Sequence, residues 1–434
     1  MMARPRRVLV FAYYFPPLGL SGVQRIARFV KYLPESHWTP VVLTARPAGY
    51  FAFDHGLRDD LDARGIEIHE TRSADPTRVF GRRPVAFPAE RSRRMFAGVS
   101  QWVFVPDNKA GWVRPAVARA IELHGETPFD AVIATAPPYS ALVAAARFSA
   151  RTGVPLVSDF RDDWLDNPRH TYPTRFHARW HRRLERQVVE HSAAIVTIND
   201  YIHSSIAGRH PRAGEAIHVI PQGFDPEDFP TDDSSQKPAV AVERCEFLYA
   251  GSFYDAQTPD YFLTALSNLV RRRPELRSRV RASFVGATND IVRRSARKFG
   301  CDDLVELRDY VPHERLCKML VAADVLWMTV GRQHRANQLS TGKLFEYFGT
   351  RKPVLGLVPD GAARDAICSY SAGLVCPPDD VGAIEHTIER LVERQANEPL
   401  PRASDEDVRP YDRRVLTRRL GSILDSVAGA DYLQ

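Results

Sequence analysis

Short apolar runs alternate with amphipathic stretches along most of the chain. Residues 8–14 form the first apolar run, and in the stretch after it Ile26, Phe29, Val30 and Leu33 recur at the spacing of one helix face. The apolar runs TPVVLTA and GIEIHE come next. Because strand-like and helix-like segments alternate, the pattern predicts a parallel sheet covered by helices.

The alternation is interrupted at residues 72–115, then resumes and later starts a second time. The first series continues through FDAVIATA, PLVSDF, a helix around Arg175 to His191, AAIVTIN and IHVIPQGFD. A polar linker, PTDDSSQKPAVAV, separates it from a second series that begins at CEFLYAGS and ends at PVLGLVP. The predicted fold class is α/β, with two Rossmann-like, doubly wound parallel-sheet domains facing a central cleft.

The predicted domain limits follow from this pattern. The first domain covers 1–230, the second covers 240–410, and a C-terminal helix at 411–434 is expected to pack back on the first domain. Ligands of open α/β sheets bind at the carboxyl ends of the strands. We therefore expect the functional residues in the loops that follow the strands.

Composition and charge narrow the class of protein only slightly. Hydrophobic residues make up 44% of the 434 positions and charged residues 26%, which is typical of a globular chain. The net charge of +6 comes from 59 basic and 53 acidic residues. This mild bias does not indicate a nucleic-acid-binding protein, but it suits an anionic substrate or an anionic membrane surface.

Cysteine usage and the first residues indicate a cytoplasmic setting. The five cysteines form no CxxC pair, which argues against structural zinc or a disulfide framework. No apolar run approaches the ~18 residues of a spanning helix. The basic and then apolar N-terminus resembles a signal peptide, but its short apolar run ends at Pro16-Pro17 and is better interpreted as a first buried strand.

The stretch STGKLFEYFGTRKPVLGLVPDG, residues 340–361, carries the most informative motif. Ser340 and Thr341 are good N-cap residues, and Gly349 is placed to end a short helix. Lys343 lies in the first turn, where the helix dipole disfavours a cation, and Glu346 shares its face one turn later. A surface ion pair would leave this misfit unexplained. Backbone amides and Lys343 would instead form a diphosphate site, with Glu346 accepting hydrogen bonds from a ribose diol.

Two further loops follow predicted strands. In YYFPPLGLSGVQR, Gly19 and Gly22 would let backbone amides approach an anion, although an ordinary tight turn explains them equally well. The stretch VSDFRDDWLD brings together a group of charged side chains: Asp159, Arg161, Asp162, Asp163 and Asp166. A metal site, an acceptor site in which a carboxylate positions a hydroxyl, and a solvated loop are all open; the position at a strand end favours an active-site role.

Taken together, these motifs resemble those of the GT-B glycosyltransferases, specifically the retaining family 4-like group. STGKLFEYFGTRKPV matches that group's T-x-K-L-x-E-Y signature, and FLYAGS is similar to the first strand and glycine turn of its donor domain. VIPQGFD resembles the family's NGxD turn, and YVPHERLCKMLVAADVLW is similar to the segment that cradles the nucleobase. PLVSDFRDDW looks like the loop that in relatives ends in a His-Asp pair, with Arg161 and Asp162 in those places.

The resemblance implies a role for each matching position. Asp162 and Lys343 would be catalytic, and Arg161 and Asp162 would lie on the acceptor side. Gln338 stands eight positions before Glu346, where the family has the first of two paired glutamates. The donor-binding residues implied are Gly19, Gly22, Gly251, Ser252, Tyr310, Val311, Gln338, Thr341, Gly342, Lys343, Leu344 and Glu346.

The expected function is transfer of a sugar from a nucleotide-diphosphate donor to a glycan or lipid-linked acceptor, with retention, in surface polysaccharide or glycolipid assembly. Retention by front-face attack, as the resemblance implies, needs no general base. No metal or other cofactor is expected, because Lys343 and helix N-termini would neutralise the diphosphate. The alternatives are a nucleotide-sugar epimerase of the same fold and a degenerate binding protein that keeps the donor pocket.

The interruption at residues 72–115 predicts peripheral contact with the inner face of the membrane. It interleaves arginines with aromatic residues, a composition that suits an anionic headgroup region. A pair of solvated helices whose aromatics pack into the domain is the alternative. The residues concerned are Arg78, Phe80, Arg82, Arg83, Phe87, Arg91, Arg93, Arg94, Phe96, Trp102 and Phe104.

Overall fold

The computed structural model describes residues 6–19, 21–47, 53–76, 98–167, 170–229, 244–286 and 289–429. Within these ranges the chain divides into two compact units, 1–221 with 413–434, and 222–412. The first unit thus ends earlier than the predicted limit at residue 230. The predicted linker and about half of the arginine- and aromatic-rich interruption, residues 77–97, lie outside the described residues.

The first unit is built on a parallel sheet of seven described strands in the order β3-β2-β1-β4-β5-β6-β7. Val10 lies between Val42 and Ile133 in this register. Alternate residues of β1 contribute to two cores on opposite faces, with Leu9 in one and Val8 in the other, which explains the unbroken apolar run. The strands are β1 Arg6–Phe11, β2 Trp38–Ala45, β3 Glu67–Thr71, β4 Ala131–Ala136, β5 Leu156–Phe160, β6 Ser192–Thr197 and β7 Ile217–Val219.

Helices connect these strands and cover both faces of the sheet. The chain turns back between β3 and β4, so that β1 and β4 are neighbours at the point where the strand order reverses. Such a reversal leaves a crevice at the carboxyl ends of the two strands. The helices are α1 Ser21–Tyr32, α2 His55–Ala63, α3 Val113–Glu126, α4 Tyr139–Thr152, α5 Arg175–His191 and α6 Asp200–Arg209.

The second unit repeats the architecture with six described strands in the order β10-β9-β8-β11-β12-β13. Its strands are β8 Cys245–Ala250, β9 Val280–Val285, β10 Val305–Arg308, β11 Val325–Thr329, β12 Val354–Leu357 and β13 Gly373–Cys376. Its helices are α7 Asp260–Arg272, α8 Asn289–Phe299, α9 His313–Ala322, α10 Gly342–Gly349, α11 Ala362–Cys368, α12 Val381–Asn397 and α13 Asp405–Val408. The strand order reverses between β8 and β11. Helix α10 begins near the carboxyl end of β8.

The chain returns to the first unit with its last helix, α14 Arg413–Val427. Leu416, Leu420 and Leu424 of α14 are buried in the core that also holds Val8 and Val30. The two ends of the chain therefore complete one apolar core. No helix within the described ranges is long and apolar enough to cross a membrane.

Candidate active site

The N-terminus of α10 forms the centre of the candidate donor site in the second unit. Thr341 is the N-cap residue, as the sequence predicts, but its hydroxyl caps nothing. That oxygen is buried and has no hydrogen-bond partner among the described residues. Because the first amides of a helix also lack intrahelical partners, this end carries several donors suited to an anion. Leu344 and Phe348 are buried and fix the helix on the core below.

Lys343 reaches from the first turn of α10 to the end of strand β8. Its Nζ donates to the hydroxyl of Tyr249 at 2.8 Å and lies 4.1 Å from the centroid of that ring. No carboxylate within the described part of the chain forms an ion pair with it. Burial lowers the pKa of Lys343 to about 7, although Glu346 opposes this shift. The ammonium is thus held with a neutral oxygen and an aromatic face as partners, which leaves its charge for an anionic ligand.

The turns after β8 and β9 contain glycines whose backbone conformation and close neighbours leave no room for a side chain. Gly251 has φ +115°, and a Cβ there would lie 2.9 Å from Nζ of Lys343. Gly286 has φ +151°, and a Cβ there would lie 2.4 Å from the carbonyl oxygen of Gly251. Both positions favour glycine for backbone and steric reasons. The absence of side chains keeps the backbone at the carboxyl ends of β8 and β9 open to a ligand.

Glu346 lies on the same helix and is partly exposed. It acts electrostatically on Lys343 and on His313, the first residue of α9. His313 Nε2 lies 3.0 Å from an Asp228 oxygen and 3.5 Å from Cys317 Sγ. Burial alone lowers the pKa of His313, but these hydrogen bonds and Glu346 raise it to about 12. Glu346 therefore interacts electrostatically with two basic side chains.

The Asp228–His313–Cys317 group also has the donor atoms of a metal site. The three ligand atoms lie within 4.8 Å of one another. A protonated imidazole that donates to Asp228 accounts for the short distance without an ion. No observation points to a metal at this position, and metal-free chemistry stays a prediction.

The remaining predicted donor residues surround this helix end. Gly342 and Leu344 belong to α10, and Ser252 lies in the turn after β8, where its carbonyl accepts from the Tyr249 hydroxyl at 3.3 Å. Tyr310 is half exposed and Val311 packs against the core, just before α9. Gln338 is buried at the end of the 3-10 segment Ala336–Gln338. Gly19 and Gly22 belong to the other unit, so the structure divides the predicted donor residues between two bodies.

In the first unit, Arg161 connects three structural elements. Its guanidinium donates to the carbonyl oxygens of Gly22, Ala136 and Pro137, at the start of α1 and the end of β4. Gly19 is buried in the loop before α1. Asp162, the next residue, is partly exposed and accepts no hydrogen bond from any described residue. Arg161 thus fixes the loop, and the Asp162 carboxylate stays available beside it.

The other acidic residues of this predicted cluster have structural partners. Asp159 belongs to β5 and forms a bidentate pair with the fully buried Arg25, at distances from 2.9 to 3.2 Å. Asp163 and Asp166 both bind Arg209, at 2.8 Å and 3.0 Å. The sequence places these carboxylates beside Asp162, but in the structure each of them is paired with an arginine of another element.

A cavity of about 280 Å³ opens in the first unit, beside the loop that follows β5. His181 lines it and is 6% exposed. Its Nδ1 accepts a hydrogen bond from the Trp164 indole at 3.0 Å, so the proton of the neutral ring is on Nε2. Burial lowers the pKa of His181 to about 4, and Nε2 has no partner among the described residues. The walls combine aromatic and amide groups, namely Ser100, Gln101, Phe104, Pro106, Asp107, Asn108, His170, Thr171, Tyr172 and His181.

Sequence reasoning missed Tyr249, His313 and His181. Tyr249 is two residues before Gly251 in FLYAGS, so side-chain alternation along β8 could have identified it. His313 is the first residue of the helix that follows β10. Because the loops after parallel strands meet at one edge of the sheet, this position could have been predicted. His181 carries no local signal, because its role depends on Trp164 and on the distant residues 100–108.

Comparisons with known proteins agree with this architecture. The family model described as "Glycosyl transferase 4-like domain" matches residues 21–223, and the model "Glycosyl transferases group 1" matches residues 244–394. Among solved structures, Anabaena HepE in complex with UDP-glucose is 17% identical with a TM-score of 0.63, covering 97% of this chain and 99% of that one. Sucrose-phosphate synthase from Thermosynechococcus elongatus is 12% identical with a TM-score of 0.64, covering 97% and 98%.

Curated relatives match over a shorter part of the chain. A D-inositol 3-phosphate glycosyltransferase from Streptomyces griseus is 28% identical over 34% of each chain. One from Frankia alni is 23% identical over 48% of this chain and 52% of its own length. The chain thus spans only a third to about half of the length of these relatives. The two family models together cover most of the sequence, and the chain belongs to the GT-B glycosyltransferases that combine a family 4-like domain with a group 1 domain.

Proposed function

We propose that this protein transfers a sugar from a nucleotide-diphosphate donor to a glycan or lipid-linked acceptor, with retention of configuration. One observation carries the proposal. The Lys343 ammonium, at the N-terminus of α10, faces the side-chain-free turn at Gly251 and has only neutral described partners within hydrogen-bond distance. A cation placed against the helix dipole costs free energy unless an anion joins it. A diphosphate supplies that anion.

On this proposal, the chain's own residues act mainly on the leaving group. Lys343, the Thr341 hydroxyl and the first amides of α10 bind the diphosphate, and Glu346 accepts from the ribose hydroxyls. When the bond from the sugar carbon to the phosphate oxygen breaks, negative charge grows on the diphosphate, and these fixed donors stabilise it. The acceptor oxygen bonds to the same face of that carbon, and its proton goes to the departing phosphate. Asp162 would orient the acceptor hydroxyl.

The named relatives support parts of this proposal. UDP-glucose is the ligand in the Anabaena structure, which favours a nucleotide-sugar donor here. Glycosyltransferases acting on D-inositol 3-phosphate favour a polar acceptor. A place in surface polysaccharide or glycolipid assembly at the cytoplasmic face of a membrane is our proposal for the setting, and no metal is required in it.

We infer that the polar part of the acceptor binds in the cavity beside His181. Aromatic walls with amide and imidazole donors suit the faces and hydroxyls of a sugar or polyol. His181→Leu should raise the KM for the acceptor and leave the KM for the donor unchanged. His181→Gln should preserve the acceptor KM, because its oxygen can accept from Trp164 and its amide can replace Nε2–H. Equal acceptor KM values in all three proteins would contradict this assignment.

The decisive experiment begins with thermal shift across UDP-, GDP-, ADP- and dTDP-sugars, followed by reaction with candidate acceptors. The anomeric configuration of the product, read by NMR, tests retention. Incubation without acceptor separates the alternatives. A changed sugar on the free donor would indicate an epimerase, and tight binding without product in any acceptor mixture would indicate a degenerate binding protein.

A further inference from the structure

Helix α5 presents an unusual set of side chains to solvent. Five of its arginines are exposed: Arg175, Arg179, Arg182, Arg183 and Arg186. None of the five has an ion-pair or hydrogen-bond partner among the described residues. Some exposed arginines in the described ranges are paired, as Arg272 is with Glu385 and Glu389, but on α5 the unpaired ones are concentrated on a single helix. Arg175 is the first residue of α5, where the helix dipole disfavours a cation, and no acidic residue in the first turn offsets this.

Aromatic residues lie directly beside these arginines. Phe176 is 65% and Trp180 is 45% exposed, and their ring centroids are 5.5 Å apart. Successive helix residues differ by about 100° around the axis. The five arginines therefore fall on one arc of α5, and Phe176 and Trp180 fall along one edge of that arc. Leu184 and Val188 on the opposite side are buried in the core and hold the helix in place.

Helical residues 98–103 extend the aromatic edge. His177 of α5 contacts Trp102 through its ring, at 5.8 Å between centroids, and through the Trp102 carbonyl oxygen, at 3.2 Å. Trp102 is 59% exposed, and its neighbours Val99 and Val103 are 59% and 66% exposed. This face, which we call the arginine–aromatic face, consists of Val99, Trp102, Val103, Arg175, Phe176, Arg179, Trp180, Arg182, Arg183 and Arg186.

We propose that the arginine–aromatic face docks the protein on an anionic lipid bilayer. Unpaired arginines are complementary to anionic headgroups, and indole and phenyl rings insert at the boundary between headgroups and acyl chains. A nucleic acid would also attract the arginines. Exposed valines, however, offer it neither hydrogen bonds nor stacking, whereas hydrocarbon covers them favourably.

The position of this face suits the proposed function, on which its biological meaning rests. The cavity beside His181 lies next to this face but is lined by other residues of the same segments, namely Ser100, Gln101, Phe104, His170, Thr171, Tyr172 and His181. A lipid-linked acceptor whose chain remains in the bilayer would then present its polar part at the cavity. Docking itself is independent of catalysis and is measured without donor or acceptor.

Vesicle co-sedimentation tests the proposal. The wild-type protein should sediment with phosphatidylcholine vesicles that contain about one third phosphatidylglycerol, and much less with phosphatidylcholine alone. Replacing Arg179, Arg182 and Arg183 by Glu should lower binding at least about tenfold, and high salt should do the same. The matched control replaces Arg293, Arg294 and Arg297 of α8 by Glu, which changes the net charge equally on a helix of the other unit. That variant should bind as the wild type does.

A second variant tests the aromatic edge. Replacing Trp102, Phe176 and Trp180 by Ser should weaken sedimentation, and in the wild type lipids brominated in their acyl chains should quench tryptophan fluorescence. Wild-type protein that stays in the supernatant with anionic vesicles at low salt overturns the proposal, as does equal loss in the α8 control. Binding to a mixed-sequence RNA in preference to vesicles would assign the face to nucleic acid instead. Turnover of a water-soluble acceptor should persist in these variants, so failure of docking is distinguishable from failure of the proposed function.

Discussion

At the scale of single residues, the start of α10 holds a cation and a buried hydroxyl that an anionic ligand would stabilise. Lys343 opposes the dipole of α10, and its nearest partner is the uncharged Tyr249 hydroxyl. The Thr341 hydroxyl is buried beside it without a described partner. Each of these arrangements costs free energy in the empty protein. A diphosphate would satisfy both groups at once.

Donor affinity should depend on pH through Lys343. Burial lowers the pKa of Lys343 to about 7. A bound diphosphate favours the charged form, so affinity should be highest below pH 7 and fall by up to about tenfold per pH unit above it. His313, with a pKa of about 12, and Tyr249, with a pKa well above 10, keep their protonation states in this range. Titration calorimetry with the preferred nucleotide sugar, which lacks a terminal phosphate, measures the dependence; Lys343→Met should bind weakly and give a flat profile.

Glu346→Ala should weaken nucleotide binding by about 1–3 kcal/mol, the range for a charge-assisted hydrogen bond. Glu346 is partly exposed, so the fold should persist. Because Glu346 raises the pKa of Lys343, its removal lowers that pKa further, so calorimetry well below pH 6 is needed to keep Lys343 charged in both proteins. Glu314→Ala is the control, since Glu314 is exposed on the neighbouring helix α9 and pairs only with Lys318 in the described structure. Equal affinity of the folded Glu346→Ala variant and the wild type would rule out the ribose contact.

At the scale of elements, a buried ion pair joins helix α1 to strand β5. Arg25 on α1 donates to both Asp159 oxygens and to the carbonyls of Ile220 and Pro221, and Thr135 donates to Asp159 at 2.7 Å. Removing one partner of such a pair leaves an uncompensated buried charge. The pair therefore fixes the glycine loop before α1 relative to the loop that carries Asp162.

Asp159→Ala should destabilise the protein by about 3–5 kcal/mol. Asp162→Ala, three residues later, should change stability by no more than about 0.5 kcal/mol but lower turnover. Urea unfolding and steady-state kinetics distinguish the two effects. The double replacement Arg25→Met with Asp159→Leu should recover much of the stability, because it removes both charges. A stable Asp159→Ala variant with low activity would indicate that Asp159 acts in the active site and not in stability.

The sequence predicts elements well where the signal is local. Helix α5 begins at Arg175 and ends at His191, the limits that the sequence predicts, and the Thr341 N-cap and the helix end at Gly349 agree with the sequence as well. The first unit ends at Pro221 for a non-local reason, because Phe224 pairs with Tyr411 and belongs to the second unit. The acidic cluster could not be resolved either, since only the distant Arg25 and Arg209 reveal which carboxylates are structural. The roles of the predicted site residues stay predictions.

At the scale of the whole molecule, the chain leaves the first unit after residue 221 and returns to it at residue 413. The second unit is thus inserted into the first. Leu416, Leu420 and Leu424 of α14 cover the same core as Val8 and Val30, which are synthesised before the second unit. The segments on both sides of the second unit must therefore be present together before that core is closed.

During synthesis, this connectivity imposes a waiting time on the first unit. Elongation through residues 222–412 takes on the order of 10–40 s, and throughout it one apolar face of a nearly complete sheet lacks its last helix. Ribosome-bound chains stalled near residue 412 should be cut by protease within residues 6–221 and should recruit chaperones. Chains stalled after α14 has left the ribosome should resist cleavage there. Equal protection at both lengths would mean that the sheet is stable without α14. Unequal protection would mean that the rate of elongation and the binding of chaperones affect how this enzyme reaches its native state.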